Sequence, residues 1–220
     1  LTFFLKMNKQ IIMLIILTIL SFIFWNTIVV YPVKLFVVLL HELSHGLAAI
    51  LTGGRIIKVE ISYLIGGSCT TQGGSPFLIA NAGYLGSILL GGLLFVQSTK
   101  SKNIKFIGLF LSLSIFLITI FYIRNSFGII FGISFSFILF LLTFILPKKI
   151  LEWILKFIGL VSCFYVLIDI KEDLFSNPPK GTDANLLYQI TGINAIFWAV
   201  LWGILALIAI IFFLRKSISK

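Results

Sequence analysis

A chain of 220 residues that is 60% hydrophobic, only 11% charged and has a mean hydropathy of +1.16 reads as a polytopic membrane protein. A soluble domain of this size carries about 25% charged residues, and no room is left for a separate soluble domain of ordinary size, so residues 1–220 read as one membrane-embedded domain. The net charge of +10 is no sign of a nucleic-acid partner, because Lys and Arg gather between the apolar runs, where they orient a protein in the bilayer.

Residues 1–6 precede Met7, which reads as the natural start. Apolar runs long enough to span number about seven by the twenty-residue criterion. They fall at residues 11–30, 33–51, 76–96, 104–123, 127–146, 157–175 and 193–214. The first is too long for an ordinary signal core and lacks a small-residue cleavage site, so it is expected to be a retained span. Pro, Gly, Lys and Arg mark the joints. Basic residues are denser near Lys100–Lys105, Lys148–Lys156 and Arg215–Lys220, which puts the C-terminus in the cytoplasm and the N-terminus outside. The expected fold is an all-α membrane protein with one β-hairpin at the membrane surface.

The second run holds His41-Glu42-Leu43-Ser44-His45, with the only two histidines of the chain. On a helix, positions i and i+4 share a face one turn apart. Two neutral imidazoles placed that way can grip one zinc ion. A carboxylate beside them can take a proton from an attacking water and return it later. His and Glu are costly at membrane depth, which marks such a cluster as functional. The bland alternative is a buried polar cluster that packs helices.

After this run, Arg55 to Tyr63 alternates and is β-branched. Gly66-Gly67, Ser68 to Gln72 and Gly73-Gly74 follow. This pattern predicts a two-strand ribbon, against a plain connecting loop. Its free edge could pair with an extended peptide. Pro76 opens the third span, a position that a helix start tolerates. Ala82-Gly83-Tyr84-Leu85-Gly86-Ser87 and Gly91-Gly92 offer a small-residue face for close packing on the histidine helix. Asn81 carries a buried amide that needs a partner. It is a candidate for holding a substrate backbone or a developing oxyanion, with interhelical hydrogen bonding as the alternative. Cys69 and Cys163 lie far apart and read as free thiols.

A catalytic zinc usually takes three protein ligands and keeps one position open. The third must be a carboxylate here. Glu60 and Glu152 read as interfacial, and Glu172 and Asp173 lie near a span end. The second and sixth runs point the same way. By helix rise, His41 and His45 sit roughly 12–18 Å into theirs and Asp169 sits at a matching depth. A lone carboxylate in the apolar setting of Asp169 is costly unless a metal neutralises it. Asp169 therefore ranks first. Asp183 ranks second: it reads as a helix-start residue, with Thr182 or Asp183 as N-cap, and reaches the metal only if its loop folds back into the membrane.

These residues resemble the site-2 proteases, the intramembrane zinc metallopeptidases, and most closely their compact bacterial and plant branch. The resemblance rests on Leu40-His41-Glu42-Leu43-Ser44-His45-Gly46, Leu51 to Arg55 and Ala82 to Ser87. Arg124 to Gly128, Thr182-Asp183-Ala184, Thr191-Gly192 and Trp198 to Trp202 support it. It implies that His41 and His45 bind zinc and that Glu42 is the general base. The family's third ligand is an aspartate on a later span, usually in a Leu-Asp-Gly setting, which this chain lacks. The family's peptide-binding domain is also missing.

The expected function is zinc-dependent hydrolysis of a peptide bond in or near a transmembrane segment of a membrane protein. The bilayer and such a substrate are the expected partners, and the expected place is a bacterial cell membrane. The alternative is a non-proteolytic protein that uses the metal structurally or transports zinc. A carrier commonly shows internal repeats, and none is visible.

Overall fold

The structure, a computed structural model, describes residues 9–24, 27, 28, 30–64, 66–175 and 182–218. Met7 and Pro178-Pro179 lie outside them, as do the side chains of Glu172 and Asp173. The elements are mostly helical: α1 (Lys9–Ile23), α2 (Tyr31–Leu51), β1 (Arg55–Ser62), β2 (Gly66–Gln72), α3 (Pro76–Lys100), α4 (Ile104–Tyr122), α5 (Ser126–Ile145), α6 (Lys148–Phe175), α7 (Asp183–Thr191) and α8 (Ala195–Ile218).

Six helices among the described residues are long and apolar enough to cross a membrane: α2 to α6 and α8. The protein is an integral membrane protein. The expected seventh span, residues 11–30, is not among these helices: within the described residues it holds a shorter apolar helix. Its helix α1 has 15 residues, about 22 Å of rise against a hydrocarbon core of roughly 30 Å. Among its described side chains Leu14, Thr18 and Ser21 are buried, the helical spacing of one packed face, and α1 lies against α6. The helix at 157–175 also begins earlier than expected. It starts at Lys148, directly after Pro147, and draws Lys156 into the interior, where its ammonium pairs with Glu152 one turn back.

Helix α2 is central. Leu35 to Leu40 are all buried, as expected for a helix apolar on every side. Pro32 opens it, where a missing N–H costs nothing. Helix α3 packs along it, and α6 and α8 pack on α3. Small residues let the backbones approach: a Cβ on Gly159 of α6 would stand 2.7 Å from the Gly91 carbonyl oxygen of α3. Helices α4 and α5 form a separate hairpin, joined to the centre through α6 and β1.

The ribbon is an antiparallel pair with Arg55 opposite Gln72, Val59 opposite Cys69 and Ser62 opposite Gly66. Its base is fixed where α2 ends. The Thr52 hydroxyl donates to the Ala48 carbonyl (2.7 Å) and accepts from the Ser75 N–H (2.9 Å). From there the ribbon runs back along α2. Ile56 meets Gly46, Gly67 meets Glu42, and the Tyr31 hydroxyl donates to the Tyr63 carbonyl at 2.8 Å. The expected two-strand hairpin is present, and it lies alongside α2, a membrane-length helix. Backbone groups shielded from water must be satisfied within the protein. The outer edge of β1 meets this need. Val59 bridges to Ile123, the Arg124 N–H donates to the Val59 carbonyl (3.1 Å), and the Asn125 amide both accepts from the Ile61 N–H (3.0 Å) and donates to the Ile61 carbonyl (2.7 Å).

Candidate metal centre

Helix α2 places His41 and His45 on one face, with ring centroids 4.8 Å apart. Their Nε2 atoms converge on one carboxylate oxygen, Asp183 Oδ2, at 3.1 Å and 3.3 Å. Ligand atoms about 2.0–2.1 Å from a tetrahedral zinc stand roughly 3.3 Å from one another. The three groups therefore have the spacing of a metal's ligand sphere, and among the described residues they are the one set of three that could hold an ion.

The chain folds locally to bring Asp183 there. Thr182 is the N-cap of α7, and its hydroxyl accepts from the Asn185 N–H at 3.3 Å. Asp183 is then the first residue of the helix, where a negative charge is favoured. Ala184 and Leu187 bury the inner face of α7, and Gly192, at φ 72°, ends it with a left-handed cap.

Space for an ion is also present. Gly83 of α3 faces the two histidines, and a Cβ built on it would stand 2.4 Å from His41 Nε2 and 2.6 Å from His45 Nε2. The absent side chain leaves a cradle in front of both donor nitrogens. The residues therefore fit a metal on three counts: donor chemistry, donor spacing and free volume.

The other nitrogens set the ring orientations. His45 Nδ1 lies 2.7 Å from the Ile79 carbonyl of α3. A carbonyl only accepts, so Nδ1 carries the proton and Nε2 offers its lone pair to the site. His41 Nδ1 faces Asp169 Oδ2 at 3.7 Å. Asp169 thus stands behind His41, whereas Asp183 stands among the Nε2 donors. The depth argument that ranked Asp169 first did not distinguish these two sides of the ring.

Glu42 is buried next to this cluster, and the backbone of β2 passes directly over it. A Cβ on Gly67 would lie 2.7 Å from Glu42 Oε1. Cys69, two residues on, faces Gly46. Burial first, and the Glu42 charge second, push its thiol up to about 12, so near neutral pH it stays a thiol. Asn81 is engaged away from the cluster. Its amide donates to the Phe77 carbonyl (2.9 Å), and its oxygen accepts from the Trp202 indole N–H (3.0 Å). Trp202 packs on Tyr84 at 4.5 Å, and Tyr84 meets His41 edge-on at 5.0 Å. Asn81 therefore braces the wall that supports His41.

The sequence reading did not single out Gly83 or Tyr165 for a role at the metal. Gly83 had a signal, because a small-residue face was expected against the histidine helix. Tyr165 had only its place one turn before Asp169.

Comparison with curated proteins and with solved structures finds no match. A family model does match: residues 13–213 fit the one described as Peptidase M50B-like. That match covers nearly all of the described chain, from α1 to the last turns of α8, and includes every residue of the cluster. With this coverage, the protein belongs to the Peptidase M50B-like family, a site-2 protease family.

Proposed function

We propose that the protein is an intramembrane zinc endopeptidase that hydrolyses a peptide bond within or beside a transmembrane segment of a membrane-protein substrate. The observation that carries this reading is the convergence of His41, His45 and Asp183 beside Glu42, inside the bundle of a Peptidase M50B-like chain. His41, His45 and Asp183 would hold the zinc, in place of the His41, His45 and Asp169 set expected from depth. Bound there, zinc supplies Lewis acidity toward a carbonyl and a water acidic enough to attack near neutral pH.

The chain's own residues do the rest. Glu42 accepts the proton of the attacking water and delivers it to the leaving amine. Its burial by Gly67 keeps bulk water from the carboxylate and places that proton transfer beside β2. A peptide bond inside a helix is shielded by its own hydrogen bonds, so the substrate must be drawn out as an extended strand. The ribbon serves that purpose. The outer edge of β1 is taken by residues 123–125, which leaves β2, the strand over Glu42, to pair with the substrate. A cavity of about 460 Å³ opens at the ribbon tip between Glu60, Tyr63, Gly67, Asn125 and Phe127. It gives the extended chain room beside Gly67, the residue that lies over the base.

The test is cleavage of single-span reporter proteins in liposomes by wild type and Glu42→Gln. Wild type cleaves and is silenced by a zinc chelator. Glu42→Gln keeps its zinc and does not cleave. Equal proteolysis by the two would remove Glu42 from the mechanism, and zinc uptake into the liposomes without any cleavage would favour a transporter.

A further inference from the structure

With Nε2 directed at the metal, a neutral histidine carries its proton on Nδ1, and a buried donor needs an acceptor. His45 has one in the Ile79 carbonyl at 2.7 Å. His41 Nδ1 is buried with no hydrogen bond, and the charged group it faces is Asp169 Oδ2 at 3.7 Å. The other carboxylate oxygen, Asp169 Oδ1, accepts from the Tyr165 hydroxyl at 3.2 Å, one turn earlier on α6. The two histidines are thus backed unequally, one by a neutral carbonyl and the other by a carboxylate that is itself held in orientation.

Building on the zinc-site reading above, we propose that Tyr165 and Asp169 form an outer pair that positions His41 and strengthens it as a metal ligand. A carboxylate behind a ligating imidazole fixes its tautomer, restrains ring rotation and makes the ligand nitrogen more electron-rich. Tyr165 acts through Asp169, by fixing which oxygen turns toward His41. Neither residue touches the metal. The arrangement also gives a half-buried carboxylate within a membrane-length helix a partner on each of its oxygens.

The experiment measures zinc affinity of the purified full chain by competition with a chromophoric chelator, together with the visible spectrum of the cobalt-loaded protein. Asp169→Ala is expected to weaken zinc binding about 10- to 100-fold, the usual cost of removing an outer-shell partner. It should still bind one ion, with a shifted cobalt spectrum. Asp169→Glu should recover part of the affinity. Tyr165→Phe should weaken binding by a smaller factor and add nothing in the Asp169→Ala background. Asp183→Ala is the internal reference and should lose stoichiometric binding. Unchanged affinity and spectrum in Asp169→Ala would overturn the proposal. So would a loss as complete as that of Asp183→Ala, because Asp169 would then be a ligand. Absence of zinc binding by wild type would instead sink the zinc-site reading on which the proposal rests.

Discussion

Gly83 and His41 face each other across the α2–α3 interface with no room for a side chain between them: a Cβ on the glycine would stand 2.4 Å from His41 Nε2. The position that a methyl group would take is close to the one a ligated ion needs. In a helix interior, Gly→Ala ordinarily gains about 1 kcal/mol. At this position the methyl meets two imidazoles whose rotation is limited by Ile79, Asp169 and Tyr84. Gly83→Ala is therefore expected to fold and to bind no zinc. Metal analysis of purified protein decides it. A full complement of zinc in Gly83→Ala would show that the ion sits elsewhere.

How much of this could be read from the sequence depends on the residue. His41, Glu42 and His45 were legible because one helical turn fixes their relative placement. The ribbon was legible through its β-branched run and paired glycines. Helix starts at Pro76, Ile104 and Ser126 fell within a residue or so of expectation, because Pro, Lys and Arg mark the joints. What sequence conceals is how elements turn toward one another. Helix rise gives a depth for Asp169 but not the side of the His41 ring that it faces. Asp183 follows Pro178-Pro179 in sequence, and nothing in the local pattern says that it meets the histidines. The first apolar run, residues 11–30, met the length criterion, but among the described residues its helix stops at Ile23, and apolarity alone does not say where a helix stops.

The contact between Gly67 and Glu42 gives a second prediction. A methyl at residue 67 would press on the carboxylate, with its Cβ 2.6 Å from Glu42 Cγ. The histidine ligands lie on another face of α2 and Asp183 lies on α7, so the ligands are not disturbed. Gly67→Ala is expected to keep one zinc per chain and to lower kcat about 100-fold, the scale that a displacement of roughly 1 Å can cost. Turnover of a reporter substrate at matched zinc content measures it. Unchanged kcat would mean that β2 yields freely and does not set the position of the base.

Asn81 and Trp202 give a third. Their hydrogen bond spans α3 and α8 at 3.0 Å, and Trp202 is fully buried. Asn81→Ala and Trp202→Phe are each expected to lower thermal stability. The double variant should lose less than their sum, with a coupling of about 0.6–1.7 kcal/mol, as for interhelical hydrogen bonds in membranes. KM for a reporter substrate should change little in Asn81→Ala. A large rise in KM with unaltered stability would instead support a substrate-binding role for the Asn81 amide.

The last prediction concerns Asn125, which completes the outer edge of β1. Its side-chain amide reproduces the two hydrogen bonds that a neighbouring strand would make, accepting at 3.0 Å and donating at 2.7 Å to Ile61. Ile61 is fully buried, so water cannot replace either bond. Asn125→Ala leaves one N–H and one carbonyl unsatisfied, at about 1–3 kcal/mol for each. Asn125→Asp can still accept from the N–H, but it sets a carboxylate oxygen against the Ile61 carbonyl. Both variants should melt at lower temperature than wild type in detergent, and both should keep their zinc, because the ligands lie on α2 and α7. Loosening β1 also loosens β2 over Glu42, so kcat should fall while metal content does not. If Asn125→Ala melted and turned over like wild type, the edge of β1 would be free to open, and β1 would join β2 as a strand on which a substrate can pair.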